Sequence, residues 1–126
     1  MAYNMKSLAQ ELASKNMADG GLVAWGQNTG AGSLFGALGG AVSALSKPMH
    51  VISKVGSQLV VTPFTSKEIL FNNAVAFNRA NMNDAKLKGG LFGATLVITM
   101  KSGKTYKFSI MQGKSELKQI LKELGL

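Results

Sequence analysis

The feature that most constrains this chain is an alternation of apolar and polar residues, with a period close to two, from residue 49 to residue 111. Such alternation is typical of antiparallel strands that turn one face to a core and the other to water. It is clearest on both sides of Ser102-Gly103, where Leu96 and Ile98 precede the turn and Phe108 and Ile110 follow it. Turn residues divide the region into predicted strands at 49–55, 58–65, 69–77, 83–88, 94–101 and 105–111.

A helix is predicted at each end of this region. Residues 4–17 place Met5, Leu8, Ala9 and Leu12 on one face, with Asn4 as the N-cap and Asp19-Gly20-Gly21 as the stop. After Ser115, the predicted cap of the second helix, an apolar stripe is formed by Leu117, Ile120, Leu121 and Leu124. We expect this C-terminal helix to seal an open end or face of the sheet. A further strand is predicted at residues 22–28.

The 126 residues are enough for one domain. We assign residues 1–19 to an N-terminal helical arm and residues 20–126 to a single domain. Within that domain, a Gly-rich apolar loop covers about residues 29–47. Its apolar run is shorter than the roughly 20 residues of a transmembrane helix.

The loop has a regular internal spacing. Gly32, Gly36 and Gly40 recur every four residues, which leaves a smooth groove that another backbone can approach. The loop either packs on its own sheet, packs against a neighbouring subunit, or inserts shallowly into a membrane. The candidate interface or membrane contacts are Trp25, Leu34, Phe35, Leu38, Val42 and Leu45.

Several segments of the second half carry a family resemblance: residues 86–93 (KLKGGLFG), 95–98 (TLVI) and 101–108 (KSGKTYKF), followed by the helix. Together with the Gly-rich segment before residue 50, they resemble bacterial pleckstrin-homology-like (PH-like) domains of the YokE type. The resemblance spans most of residues 22–126. It implies a mainly β (α+β) fold, a bent seven-stranded antiparallel PH-like barrel capped by the C-terminal helix. It also implies a binding scaffold without catalysis that is often homo-oligomeric. Phosphoinositide binding is not implied, because residues 22–46 contain no basic side chain.

The net charge of +8 comes almost entirely from lysine, since Arg79 is the only arginine. A positive surface attracts nucleic acid and anionic lipid, although lysines also keep small domains soluble and protect edge strands. The candidate anion contacts are Lys88, Lys101, Lys104, Lys107, Lys114 and Ser115. Phe92 or Tyr106 could stack on bases, but Tyr106 alternates with apolar residues and is predicted to face inward.

Catalytic chemistry finds little support in the residue types. There is no cysteine and a single histidine, His50, and the six carboxylates are scattered without paired spacing. A pairing of His50 with Asp84 or Glu68 is the remaining catalytic alternative. The fragments Gly103-Lys104-Thr105 and Gly113-Lys114-Ser115 lack the first glycine of a nucleotide-binding loop. We therefore predict no enzyme activity, no metal and no cofactor.

The sequence thus predicts a cytoplasmic, non-enzymatic binding module that assembles as a homo-oligomer through residues 30–46 or binds a protein partner. One alternative is binding of RNA or single-stranded DNA through the lysine-rich C-terminal sheet. A second is peripheral association with an anionic membrane. The first 15 residues are amphipathic and carry Glu11, which does not resemble a secretory signal.

Overall fold

The computed structural model describes residues 3–29, 49–90 and 93–126. The elements are α1 (Met5–Ser14), β1 (Ala24–Thr29), β2 (Met49–Val55), β3 (Gln58–Phe64), β4 (Val75–Asn78), β5 (Met82–Gly90), β6 (Gly93–Met100), β7 (Thr105–Gln112) and α2 (Lys114–Glu123). Single 3-10 turns lie at Asp19–Gly21, Phe71–Asn73 and Arg79–Asn81.

The seven strands form one bent antiparallel sheet in the order β4-β3-β2-β1-β7-β6-β5. Strand β1 lies at its centre and pairs with β2 on one side and β7 on the other. This confirms the predicted mainly β architecture, with seven antiparallel strands and a helix at each end of the chain. The sheet is not closed into a barrel, because β4 and β5 are its two edges and do not pair with each other.

Each face of the sheet packs on a different helix. The inner face, defined here as the one that packs on α2, carries the larger core, where Leu117 and Ile120 meet the fully buried Phe108. The outer face of β1–β3 packs on α1, whose Leu8 and Leu12 are fully buried with Val51 and Phe64. Strands β2 and β3 are therefore buried on both faces. The alternation of apolar and polar residues in the sequence instead predicts one face exposed to solvent.

The predicted N-cap of α1 is confirmed. The Ser7 backbone N–H donates to Asn4 Oδ1 at 2.8 Å, and the Asn4 N–H donates to Ser7 Oγ at 2.9 Å. This reciprocal capping box satisfies backbone donors that the first turn of a helix leaves free.

The predicted N-cap of α2 is wrong. Gly113 occupies the cap position with a φ of +90°, and Ser115 Oγ instead donates to Glu116 Oε1 at 2.6 Å. The close approach of β1 explains why the cap position holds a glycine, since a Cβ on Gly113 would lie 2.6 Å from Ala24 Cα. Only glycine combines that approach with a left-handed backbone at little cost.

The predicted strand 69–77 is interrupted. Ile69 forms an isolated bridge with Phe64, a 3-10 turn follows at Phe71–Asn73, and β4 begins only at Val75. The Asn72-Asn73 pair accounts for the break, because asparagine is depleted in strands and favoured in turns.

An ion-pair cluster ties both ends of the chain to β2. Lys54 Nζ lies 3.2 Å from Asp19 Oδ2 and 3.6 Å from Glu123 Oε1. The Gly56 N–H also donates to Asp19 Oδ2 at 2.7 Å. This backbone hydrogen bond, and then Lys54, lower the pKa of the Asp19 carboxyl below its usual value.

Candidate functional site

The outer face of β5–β7 differs from the rest of the sheet, because neither described helix packs on it. Its outward side chains include the exposed Lys86, Lys88 and Lys107, with the half-buried Thr95 and Val97 between them. We call these five residues the lysine face. Alternation along each strand places them on the surface, because their neighbours Leu87, Leu96 and Phe108 point into the core.

Strand register sets the spacing of the lysines. Lys86 pairs with Val97, which in turn pairs with Lys107, so the two lysines flank Val97 across two strand spacings. Their backbones are therefore about 10 Å apart. Lys88 pairs with Thr95, one step closer to the β5–β6 turn. A shallow cavity of about 490 Å³ is lined by Lys88, Gly89, Gly93, Thr95, Val97 and Lys107.

The positive charge of this face is only partly compensated. Lys86 Nζ lies 3.5 Å from Asp84 Oδ2, and both side chains are well exposed. An exposed pair of this kind holds its partners weakly. Within residues 3–29, 49–90 and 93–126, Lys88 and Lys107 form no ion pair. The face therefore presents lysines that can bind an anion without breaking a strong contact.

The structure brings some predicted anion contacts together and separates others. Lys88 and Lys107 line one cavity, and Lys114 Nζ lies beside Gly89, where it would be 3.3 Å from an added Cβ. Lys101 and Lys104 lie at the β6–β7 turn, at the opposite end of β6 from Gly93. The hydroxyl of Ser115 is already engaged with Glu116.

The structure changes the interpretation of two further basic residues, Lys86 and Arg79. Lys86 was not among the predicted anion contacts, although its spacing of two from Lys88 puts both on one face of a strand. Arg79 is half-buried and donates to the carbonyl oxygens of Leu124, at 3.0 Å, and Met82, at 3.2 Å. The guanidinium therefore ties backbone segments together, and lysines alone supply the charge of the face.

The predicted apolar interface lies mostly outside the described residues. Leu34, Phe35, Leu38, Val42 and Leu45 all belong to the segment 30–48. Trp25 is described: its Nε1–H donates to Gln112 Oε1 at 3.1 Å, and its ring packs edge-on against Phe64 with centroids 5.9 Å apart. Trp25 is thus half-buried in the cluster under α1.

The aromatic residues proposed for base stacking have different positions. Tyr106 is half-buried against Phe77, with ring centroids 5.1 Å apart, which confirms that it faces inward. Phe92 lies outside the described residues. No aromatic side chain therefore belongs to the lysine face as defined here.

His50 lies on the inner face of β2. It is fully buried, and its ring packs edge-on against Phe108 with centroids 5.6 Å apart. Burial lowers the pKa of His50 to about 4, because the charged imidazolium is poorly solvated there. Asp84 instead reaches the outer surface beside Lys86, and Glu68 is exposed.

Metal-binding clusters and membrane-spanning helices are both absent from the described part of the chain. No cluster of three or more histidine, cysteine or carboxylate side chains that could hold a metal ion occurs in residues 3–29, 49–90 and 93–126. In the same part of the chain, no helix has the length and apolar character needed to cross a bilayer.

The chain was also compared with known proteins. No protein-family model matches it, and no curated protein matches it either. The lysine face is therefore interpreted from its own residues.

Proposed function

We propose that the protein is a non-enzymatic binding module and that its lysine face binds the phosphate backbone of single-stranded nucleic acid. The observation that carries the proposal is the contrast between the two halves of the outer face. The half on β1–β3 packs on α1, whereas neither described helix packs on the half on β5–β7, which bears Lys86, Lys88 and Lys107.

The composition of the face favours backbone contacts over base recognition. Lysine ammonium and threonine hydroxyl groups donate to phosphate oxygens, and such contacts carry no sequence information. The five residues of the face include neither an arginine, which can read a base edge, nor an aromatic ring on which a base can stack. We therefore expect weak, sequence-independent binding, with Kd values of about 10⁻⁴ to 10⁻⁶ M.

The replacement Lys107→Gln should weaken binding of a polyuridine oligonucleotide about three- to tenfold at low salt. It should also make the slope of log Kd against log salt less steep by about 0.7, because one counterion-releasing contact is lost. Fluorescence anisotropy over a salt series measures both quantities.

Lys67→Gln is the matched control, because Lys67 is exposed in the turn after β3 and makes the same charge change far from the lysine face. Equal effects of the two replacements would contradict a defined binding face. A second measurement uses phosphatidylserine vesicles in place of the oligonucleotide. The membrane alternative would be favoured if the protein bound these vesicles more tightly than the oligonucleotide and if Lys107→Gln abolished that binding.

Assembly through residues 30–46 stays a second candidate, supported by a run of 17 residues without a charged side chain. A charge placed in the middle of an apolar interface is strongly unfavourable. If the loop joins subunits, Leu38→Asp should convert an oligomer into a monomer, as measured by light scattering at high micromolar concentration. A wild-type protein that is already monomeric there would contradict this candidate.

The resemblance to PH-like domains is part of the same proposal. The bent seven-stranded antiparallel sheet and the C-terminal helix on its inner face support it, whereas the unpaired β4 and β5 of the described sheet differ from the barrel that the resemblance implies. A cytoplasmic location and a membrane-peripheral one both remain predictions.

A further inference from the structure

Strand β5 is a long edge strand of the sheet that the structure describes. It has nine residues, whereas the other edge strand, β4, has four. Among residues 3–29, 49–90 and 93–126, β5 pairs with β6 alone. In an antiparallel strand, every second residue points its N–H and C=O away from the partner strand, so β5 offers a row of backbone groups to a further strand.

A groove of about 430 Å³ runs between this edge and α2. Its apolar part is formed by Leu87 from the inner face of β5, by Leu121 from α2, and by Leu126 after it. An extended segment laid along β5 would therefore meet hydrogen-bonding groups on one side and apolar side chains below.

The charged residues around the groove indicate which kind of segment can bind there. Lys86, Lys88 and Lys118 line it, against a single carboxylate, Asp84. A second copy of this chain that paired antiparallel through β5, centred on Leu87, would set its Lys86 and Lys88 opposite Lys88 and Lys86, and like charges across strands are destabilising. An acidic segment would instead find complementary charge.

We propose that this groove binds an extended acidic segment of a partner protein, which adds a further strand to the sheet along β5. The proposal goes beyond nucleic-acid binding, because it adds the backbone edge of β5 and the side chains of α2 to Lys86 and Lys88, which also belong to the lysine face. Side chains of an added strand alternate in direction. The segment should therefore place apolar residues toward Leu87 and Leu121 and acidic residues toward Lys86 and Lys88.

The probe is an end-capped peptide of alternating valine and glutamate, as long as β5, added to the full ¹⁵N-labelled chain. We expect saturable binding, with amide shifts along β5 and on the side of α2 that carries Lys118. Two further peptides carry N-methyl groups on alternate residues. In one peptide the methyl groups block the N–H groups along one edge of the extended strand, and in the other they block those along the opposite edge. Only one of them should lose binding, by at least about tenfold, because only one edge donates hydrogen bonds to β5.

Charge variants separate this groove from the lysine face. Lys118→Glu should weaken peptide binding at least about fivefold, because its charge lies beside the groove. Lys107→Gln should change peptide binding by less than about twofold and should affect only the oligonucleotide. Equal loss with both N-methylated peptides, or shifts confined to β6 and β7, would overturn the proposal. So would the absence of binding, or peptide-free dimerisation through β5.

Discussion

Replacing Gly26 with alanine should lower the free energy of unfolding by about 3 kcal/mol or more, beyond the usual range for overpacking. An added Cβ would overlap the carbonyl oxygen of Ser109 and lie 2.9 Å from its carbonyl carbon. Both are backbone atoms of the neighbouring strand and cannot rotate away. The strain therefore falls on the β1–β7 pairing, which joins the two halves of the sheet. Urea unfolding followed by circular dichroism measures the change.

Gly89→Ala is the matched control, because it is also a glycine in a strand. A Cβ there would meet only the flexible end of Lys114, at 3.3 Å. We expect its effect to stay within about 0.5 kcal/mol, as for most surface substitutions. A similar loss of stability in both variants would show that the Ser109 contact does not govern the cost at Gly26.

The second large effect is a loss of stability in mild acid that originates at His50. Unfolded histidine takes up a proton near pH 6.5, whereas burial lowers the pKa of folded His50 to about 4. Between these values the unfolded state binds more protons, so stability falls as the pH falls. The free energy of unfolding should drop by about 3 kcal/mol between pH 7 and pH 4.

The variant His50→Gln isolates this contribution, because glutamine is polar but does not titrate. Its absolute stability will differ from that of the wild type, so the comparison is between the slopes of unfolding free energy against pH. Asp19 adds little in this window: its pKa is lowered, so its contribution is lost only as the pH falls below about 3.8. A flat wild-type profile, or equal slopes in both proteins, would contradict the role of His50.

Local patterns predicted the elements that depend on neighbouring residues. The alternation around Ser102-Gly103 predicted β6 and β7, and the stripe from Leu117 predicted α2. Asn4 was identified as a cap because a capping box needs only residues within one turn. Period-two spacing likewise put Lys88 and Lys107 on the surface, where the structure has them.

Errors occurred where distant segments decide the local conformation. Ser115 satisfies the sequence pattern of an N-cap, but α2 begins at Lys114 and its cap position holds Gly113, where the approach of Ala24 leaves no room for a Cβ. The proximity of Lys88 and Lys107 also depends on distant segments. The two lysines line one cavity because their strands, β5 and β7, both pair with β6. No spacing along the chain encodes that.

The amino-acid sequence alone determined that this chain forms antiparallel strands followed by an amphipathic helix, because hydrophobic periodicity reports which side of each element is buried. Only the tertiary structure decided that β1 joins the two halves of the sheet, that α1 covers one half of the outer face, and that β5 is an edge of the described sheet beside α2. Strand order and helix docking depend on contacts between residues far apart in the chain, and periodicity within one element carries no information about them.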